Sequence, residues 1–159
     1  MTQAWLVEWG YLAIVIGAFV EGEATLLAAG ALAQQRVLIL PLVVISGWLG
    51  SMAWSQLWFR TGRHAGRALL DRHPQWRPQV ARVQRGMQRY ASVYLLLSRF
   101  LIGRGTASPA IVGATGFPLR RFSAWDALGA LAWSAALCGS GWALSTGARA
   151  LWFVVGGEA

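Results

Sequence analysis

Among the charged residues in or beside apolar segments, the candidates for chemistry are Glu21, Glu23, Arg99, Arg104 and Asp126. A charge at mid-bilayer costs at least about 2.5–3.5 kcal/mol on the insertion scale, so each needs a partner, a water-filled cavity or a function. Glu21 and Glu23 flank Gly22. Two carboxylates this close repel in a low-dielectric site, and taking up a proton relieves the repulsion; the pair could therefore couple to a proton. The competing reading is hydration at the membrane surface. Arg99 and Arg104 are suited to phosphate, because a guanidinium offers a planar fork of donors and keeps its charge when partly buried. Gly103 and Gly105 flank Arg104 and let backbone N–H groups approach an anion closely. These four residues read as a lipid-phosphate site. A salt bridge to Glu21 or Glu23 is the alternative, and a pair that opens when phosphate arrives satisfies both. Asp126 fits either a helix-start acid near the interface or a third coupling group.

Other chemistry is poorly provided for. The chain has no G-x-S-x-G, H-E-x-x-H, Walker loop or C-x-x-C, so an enzyme, a metal centre and a bound cofactor are not expected. His64 and His73 lie in a basic stretch and read as solvated. The net charge of +8 arises from fourteen arginines with no lysine, and eight of them fall between Arg60 and Arg89. Nucleic acid would be one partner for such a chain. A cytoplasmic membrane loop explains it better, because the charge sits between apolar segments. Cys138 is the sole cysteine, so no intramolecular disulfide is possible. The N-terminus lacks a basic n-region and an A-x-A site, so no cleaved signal peptide is expected.

The elements that must hold these charges are apolar and of two lengths. Residues 37–59 and 127–148 carry no charge and are long enough to span. Segments 4–20 and 24–33, and later 91–103 and 106–117, are shorter. The first pair turns at Glu21-Gly22-Glu23 and the second at Gly103-Arg104-Gly105. Short apolar pieces of this kind suit re-entrant segments, with irregular backbone tolerated only where protein or a water-filled cavity covers it. The expected fold is therefore all-α: a polytopic membrane protein with two re-entrant helical hairpins and two long transmembrane helices in an inverted repeat. One membrane domain covers 1–159. It comprises a first hairpin plus span (9–59), a basic amphipathic cytoplasmic loop (60–90) and a second hairpin plus span (91–146). The repeat rests on pattern alone, with no residue-level self-similarity recognised. Ten arginines on the side of the loop, against Arg36 and Arg149 on the other, place 60–90 in the cytoplasm and both termini outside. Within the loop, Trp76, Val80, Val83, Met87 and Tyr90 form one helical face, opposite Arg82, Arg85 and Arg89. A cationic amphipathic helix of this type is expected on an anionic membrane surface. Ser46, Gly47, Gly50, Ser51 and Ser55 predict close helix packing along the first span.

The stretch SRFLIGRGTASPAIVGATGFPLRRFSAWDALGALAW resembles the second half of the DedA family, also called the SNARE-associated or VTT domain family. Arg99, Phe100, Gly103, Thr106, Pro109, Gly113, Arg121, Phe122, Gly129, Ala130 and Trp133 fit its pattern. FVEGEATLLAAGALA resembles the acidic hairpin of the family, with Glu21 and Glu23 at the acidic positions. GSMAWSQLWFRTGRHAGRALL matches a further stretch at Gly62, Arg63 and Gly66. The likeness covers about residues 10–135. The family's second arginine would fall at Gly105, one residue after Arg104; its proline is Ile102, its G-D pair is Trp54-Ser55, and Asp126 stands where asparagine is usual. The resemblance implies a bacterial inner-membrane transporter or flippase of phospholipid or polyprenyl-phosphate lipid, coupled to protons or sodium. Its partners are then phosphate-bearing membrane lipids, with homo-oligomers allowed. A non-transporting membrane scaffold or assembly factor is the rival, since it needs the loop helix but not the hairpin charges.

Overall fold

The computed structural model describes residues 2–78, 80–86 and 107–156. Among them the chain is helical throughout, with no strand. Helix α1 covers Thr2–Val20, α2 Glu23–Gln34 and α3 Leu40–Arg72. A 3-10 turn at Pro74–Trp76 follows, and residues 77–78 and 80–86 are again helical. Helix α4 covers Ala107–Ala114 and α5 Leu119–Gly156. The chain forms two compact units, Met1–Ser51 with Leu131–Ala159, and Met52–Ala130.

In the first unit α1 and α2 form a helical hairpin. The reversal occurs where expected: Gly22 adopts φ 70°, a left-handed conformation open to glycine at no steric cost. The Glu21 and Gly22 amides both donate to the Gly17 carbonyl, at 2.8 and 3.0 Å. The hairpin closes at its other end, where the Ile39 amide donates to the Tyr11 hydroxyl oxygen at 3.0 Å. Helix α2 ends with Arg36 at φ 60°, with the Val37 amide donating to the Leu32 carbonyl at 3.3 Å. That is a Schellman cap whose left-handed position holds arginine instead of the usual glycine. Ile14, Ala18, Leu26, Ala29, Leu38, Val43 and Cys138 make this unit's core. In the second unit Phe59 stacks on Phe122, with ring centroids 4.2 Å apart, and Val112 completes the core.

Two helices are long and apolar enough to cross a membrane, over Leu40–Gly66 and Leu119–Ala148. Their side chains are distributed inside out relative to a water-soluble protein. Ser46, Ser51, Ser55 and Ser134 are buried, whereas Leu42, Ile45, Leu49 and Leu57 are exposed in one stripe along α3. Trp9, Leu12, Ile16 and Val20 make a second exposed stripe along α1. Water would penalise such apolar stripes. A lipid environment does not, and there small and hydroxyl-bearing residues fill helix contacts.

Several expectations change. The first long helix continues past residue 59 through Arg60, Arg63 and Arg67 to Arg72, so the early part of segment 60–90 is an extension of the span. The second starts at Leu119 rather than 127. Asp126 therefore lies in its third turn, 9% exposed, and is not a helix-start acid. The 80–86 segment is helical and Arg82 and Arg85 are exposed, as expected. Val83, however, packs against the Phe59–Val112–Phe122 core. At that position the apolar stripe faces the protein, where the chain's own aromatic cluster receives it. Met87 and Tyr90 lie outside the described residues.

Candidate functional site

Glu21 and Glu23 bracket the Gly22 turn, and both are exposed, so the chain's own packing leaves the two carboxylates accessible. Asp126 is buried in the second unit. Arg99, Gly103, Arg104 and Gly105 lie outside the described residues.

What holds the short helices in place is unusually direct. In the first unit, a methyl at Gly30 of α2 would run into the Cys138 carbonyl of α5, and one at Gly141 of α5 would run into the Leu27 carbonyl of α2. In the second, a methyl at Gly113 of α4 meets the Phe59 carbonyl of α3, and one at Gly62 of α3 meets the Ala110 carbonyl of α4. Each contact is thus reciprocal: a residue and the glycine three positions later on one helix face the same pair on the other. Only a residue without Cβ allows two backbones this close. Gly66 extends the second contact against Ala114. The small residues Gly47 and Gly50 behave as expected. Gly47 sits against Leu26 and Ser134, and Gly50 against Val15 and Ala18. Ser134 donates to the Val44 carbonyl at 2.8 Å.

The two long helices also share one burial pattern. Positions 43, 47, 50, 51, 55, 59 and 62 of α3 are buried, and α5 repeats them 79 residues on, at 122, 126, 129, 130, 134, 138 and 141. In the same register LGSMAWS (49–55) corresponds to LGALAWS (128–134), identical at five of seven positions. Residue-level self-similarity is therefore present, contrary to the expectation above. Asp126 takes the place in α5 that Gly47 has in α3.

The second unit contains a basic recess that spacing alone did not single out. A cavity of about 720 Å³ is lined by Phe59, Arg60, Arg63, His64, Pro118, Leu119 and Arg120. A neighbouring one of about 460 Å³ shares Arg63 and His64 and runs along Gly113–Gly116. Arg63 reaches the Phe117 carbonyl at 3.5 Å, a long contact that leaves most of its donors uncommitted. The available signal was Arg60, Arg63 and His64 at i, i+3 and i+4, one face of a helix.

Comparison with known proteins agrees with this picture. The VTT domain family model matches residues 19–143. The chain is 36% identical over 127 residues to the inner membrane protein YohD of Escherichia coli K12, covering 80% of this chain and 66% of that protein. The chain thus spans just under two thirds of that relative's length. It is 24% identical over 144 residues to the uncharacterized membrane protein YbfM of Bacillus subtilis 168, covering 84% and 89% of the two chains. No solved structure matches. The inside-out helices and a domain match over most of the length converge on one assignment: the chain belongs to the VTT domain, or DedA, family of membrane proteins.

Proposed function

We propose that the protein translocates a phosphate-bearing lipid, a phospholipid or a polyprenyl phosphate, across a bacterial inner membrane with proton or sodium coupling. The observation that carries this reading is the twofold occurrence of a helix locked through reciprocal glycines onto a long apolar one. Helix α2, with 12 residues, covers about 18 Å, well short of a ~30 Å hydrocarbon core. Broken helices of this kind, in repeats of opposite orientation, are where secondary transporters hold substrate and coupling ion. The shared burial pattern of α3 and α5 supports an inverted repeat, and the Gly22 turn supports the first re-entrant hairpin. In this reading the basic segment 60–90 faces the cytoplasm. Glu21 and Glu23, exposed at their turn, exchange the coupling ion, and Asp126 is the third acid. Arg99 and Arg104, with Gly103 and Gly105, receive the phosphate.

The test is headgroup translocation in liposomes containing the purified protein and a fluorescently labelled phospholipid. Arg99→Ala is expected to abolish transport at equal incorporation, and Glu21→Gln with Glu23→Gln to remove its dependence on an ion gradient. Unchanged transport in Arg99→Ala removes the arginine from the mechanism. Absence of transport by the unaltered protein, under every gradient and lipid tried, would leave a scaffold as the better reading.

A further inference from the structure

The basic recess of the second unit is not needed by the transport reading, and its composition fits a ligand of its own. Its floor is apolar, from Phe59, Pro118 and Leu119, and its charge comes from Arg60, Arg63 and Arg120 with His64 beside them. Its place along the helices is informative. Arg60 is 20 residues beyond Leu40, about 30 Å along α3, one hydrocarbon thickness from the start of that apolar stretch. Leu119 and Arg120 open the other apolar stretch. The recess thus lies where two spans meet the headgroup layer, and it pairs an apolar floor with a cationic rim at that depth.

Internal neutralisation does not account for the arginines. The sequence holds fourteen arginines and six acidic residues, so at least eight positive charges lack an internal counter-charge. Asp71, the acid closest in sequence to the α3 arginines, is engaged by Arg77 at 2.9 Å. Two guanidiniums on adjacent turns of α3 and a third from the first turn of α5 present forked donors from two elements. That geometry suits a tetrahedral phosphate better than a planar carboxylate, which one fork already satisfies.

We infer that Arg60, Arg63, His64 and Arg120 form a binding site for the phosphate of an anionic glycerophospholipid in the leaflet on the basic side of the protein. The acyl-chain end of the ligand lies over Phe59 and Leu119. The site retains a resident lipid and does not depend on transport.

The experiment uses the full chain in nanodiscs of phosphatidylcholine doped with phosphatidylglycerol, with enrichment of phosphatidylglycerol around the protein measured by lipid mass spectrometry. Arg63→Gln with Arg120→Gln is compared with Arg82→Gln with Arg85→Gln, which removes the same charge from an exposed helix outside the recess. The recess pair is expected to lower enrichment about twenty-five-fold, from roughly fivefold per interfacial arginine, and the control pair to leave it unchanged. Circular dichroism establishes equal helicity, and a lysine version of the recess pair, which keeps the charge, is expected to restore part of the enrichment. Equal losses in both pairs would mean diffuse charge and overturn the site, as would undiminished enrichment in the recess pair. Displacement of phosphatidylglycerol by equimolar inorganic phosphate would assign the recess to free phosphate and overturn the lipid assignment. Because the readout is retention at equilibrium, a failure of transport leaves the result interpretable.

Discussion

Gly113→Ala tests the glycine-locked contact most directly. The added methyl would meet the Phe59 carbonyl, with the Arg63 amide nitrogen and the Phe59 carbonyl carbon each 3.0 Å away, so every neighbour is backbone and none can swing aside. Helices α3 and α4 must separate by about 1 Å, and a gap of that size forfeits a quarter to a half of each affected dispersion contact. Overpacking of this kind costs about 1–3 kcal/mol. Replacing glycine by alanine inside a helix returns about 0.5–1 kcal/mol. The net loss is then about 0–2.5 kcal/mol, centred near 1 kcal/mol. Gly139→Ala supplies the opposite sign, since nothing lies within 4 Å of its new methyl and only the helix-forming gain remains. Gly62→Ala is expected to match Gly113→Ala. The double substitution costs less than the two combined, because helices already parted by one methyl accommodate the second. The assay is reversible unfolding in mixed micelles by increasing sodium dodecyl sulfate, followed by far-ultraviolet circular dichroism. If Gly113→Ala and Gly139→Ala shift the midpoint equally, the close approach of α3 and α4 is refuted.

Two other substitutions probe separate links. Leu49→Arg alters a side chain that is 48% exposed, about 13 Å along α3 from Leu40 and so near mid-bilayer. It is expected to oppose membrane insertion by about 2.5–3.5 kcal/mol, whereas the same change on a water-facing surface would be tolerated; glycosylation-based insertion assays of α3 separate the two, and unimpaired insertion rejects the lipid-facing assignment. Arg36→Gly removes a side chain from a left-handed position at φ 60°, and should raise stability by about 1 kcal/mol in the same micelle unfolding experiment; a loss of stability would mean that the arginine contributes more than its strained backbone costs.

Much of this architecture was legible in one dimension. The charge-free runs marked α3 and α5, and Glu21-Gly22-Glu23 marked a reversal, because glycine there permits φ 70°. The small residues from Ser46 to Ser55 foretold close packing that Gly47 and Gly50 make. The local likeness of the two long helices was also written in the sequence, as LGSMAWS and LGALAWS, but was hard to see. The long helices correspond at an offset of 79 residues, while Gly30 and Gly113 of the short ones are 83 apart. The difference of four is about one helical turn, so no single alignment brings both into register.

The sequence by itself determined which of the described segments are helical and apolar, where the first hairpin turns, and to which family the chain is similar. Tertiary structure decided which face of each helix meets protein. It turned Val83 toward the Phe59 cluster, placed Asp126 inside α5 rather than at its start, and gathered Arg60, Arg63 and Arg120 around one recess. The physical reason is the solvent. In water a buried face is recognised by being more apolar than an exposed one, but lipid is as apolar as a protein core. Hydropathy therefore cannot tell the lipid-facing Leu49 from a core leucine, and the distinction rests on backbone proximity: glycine against carbonyl, a relation that exists only once the helices have come together.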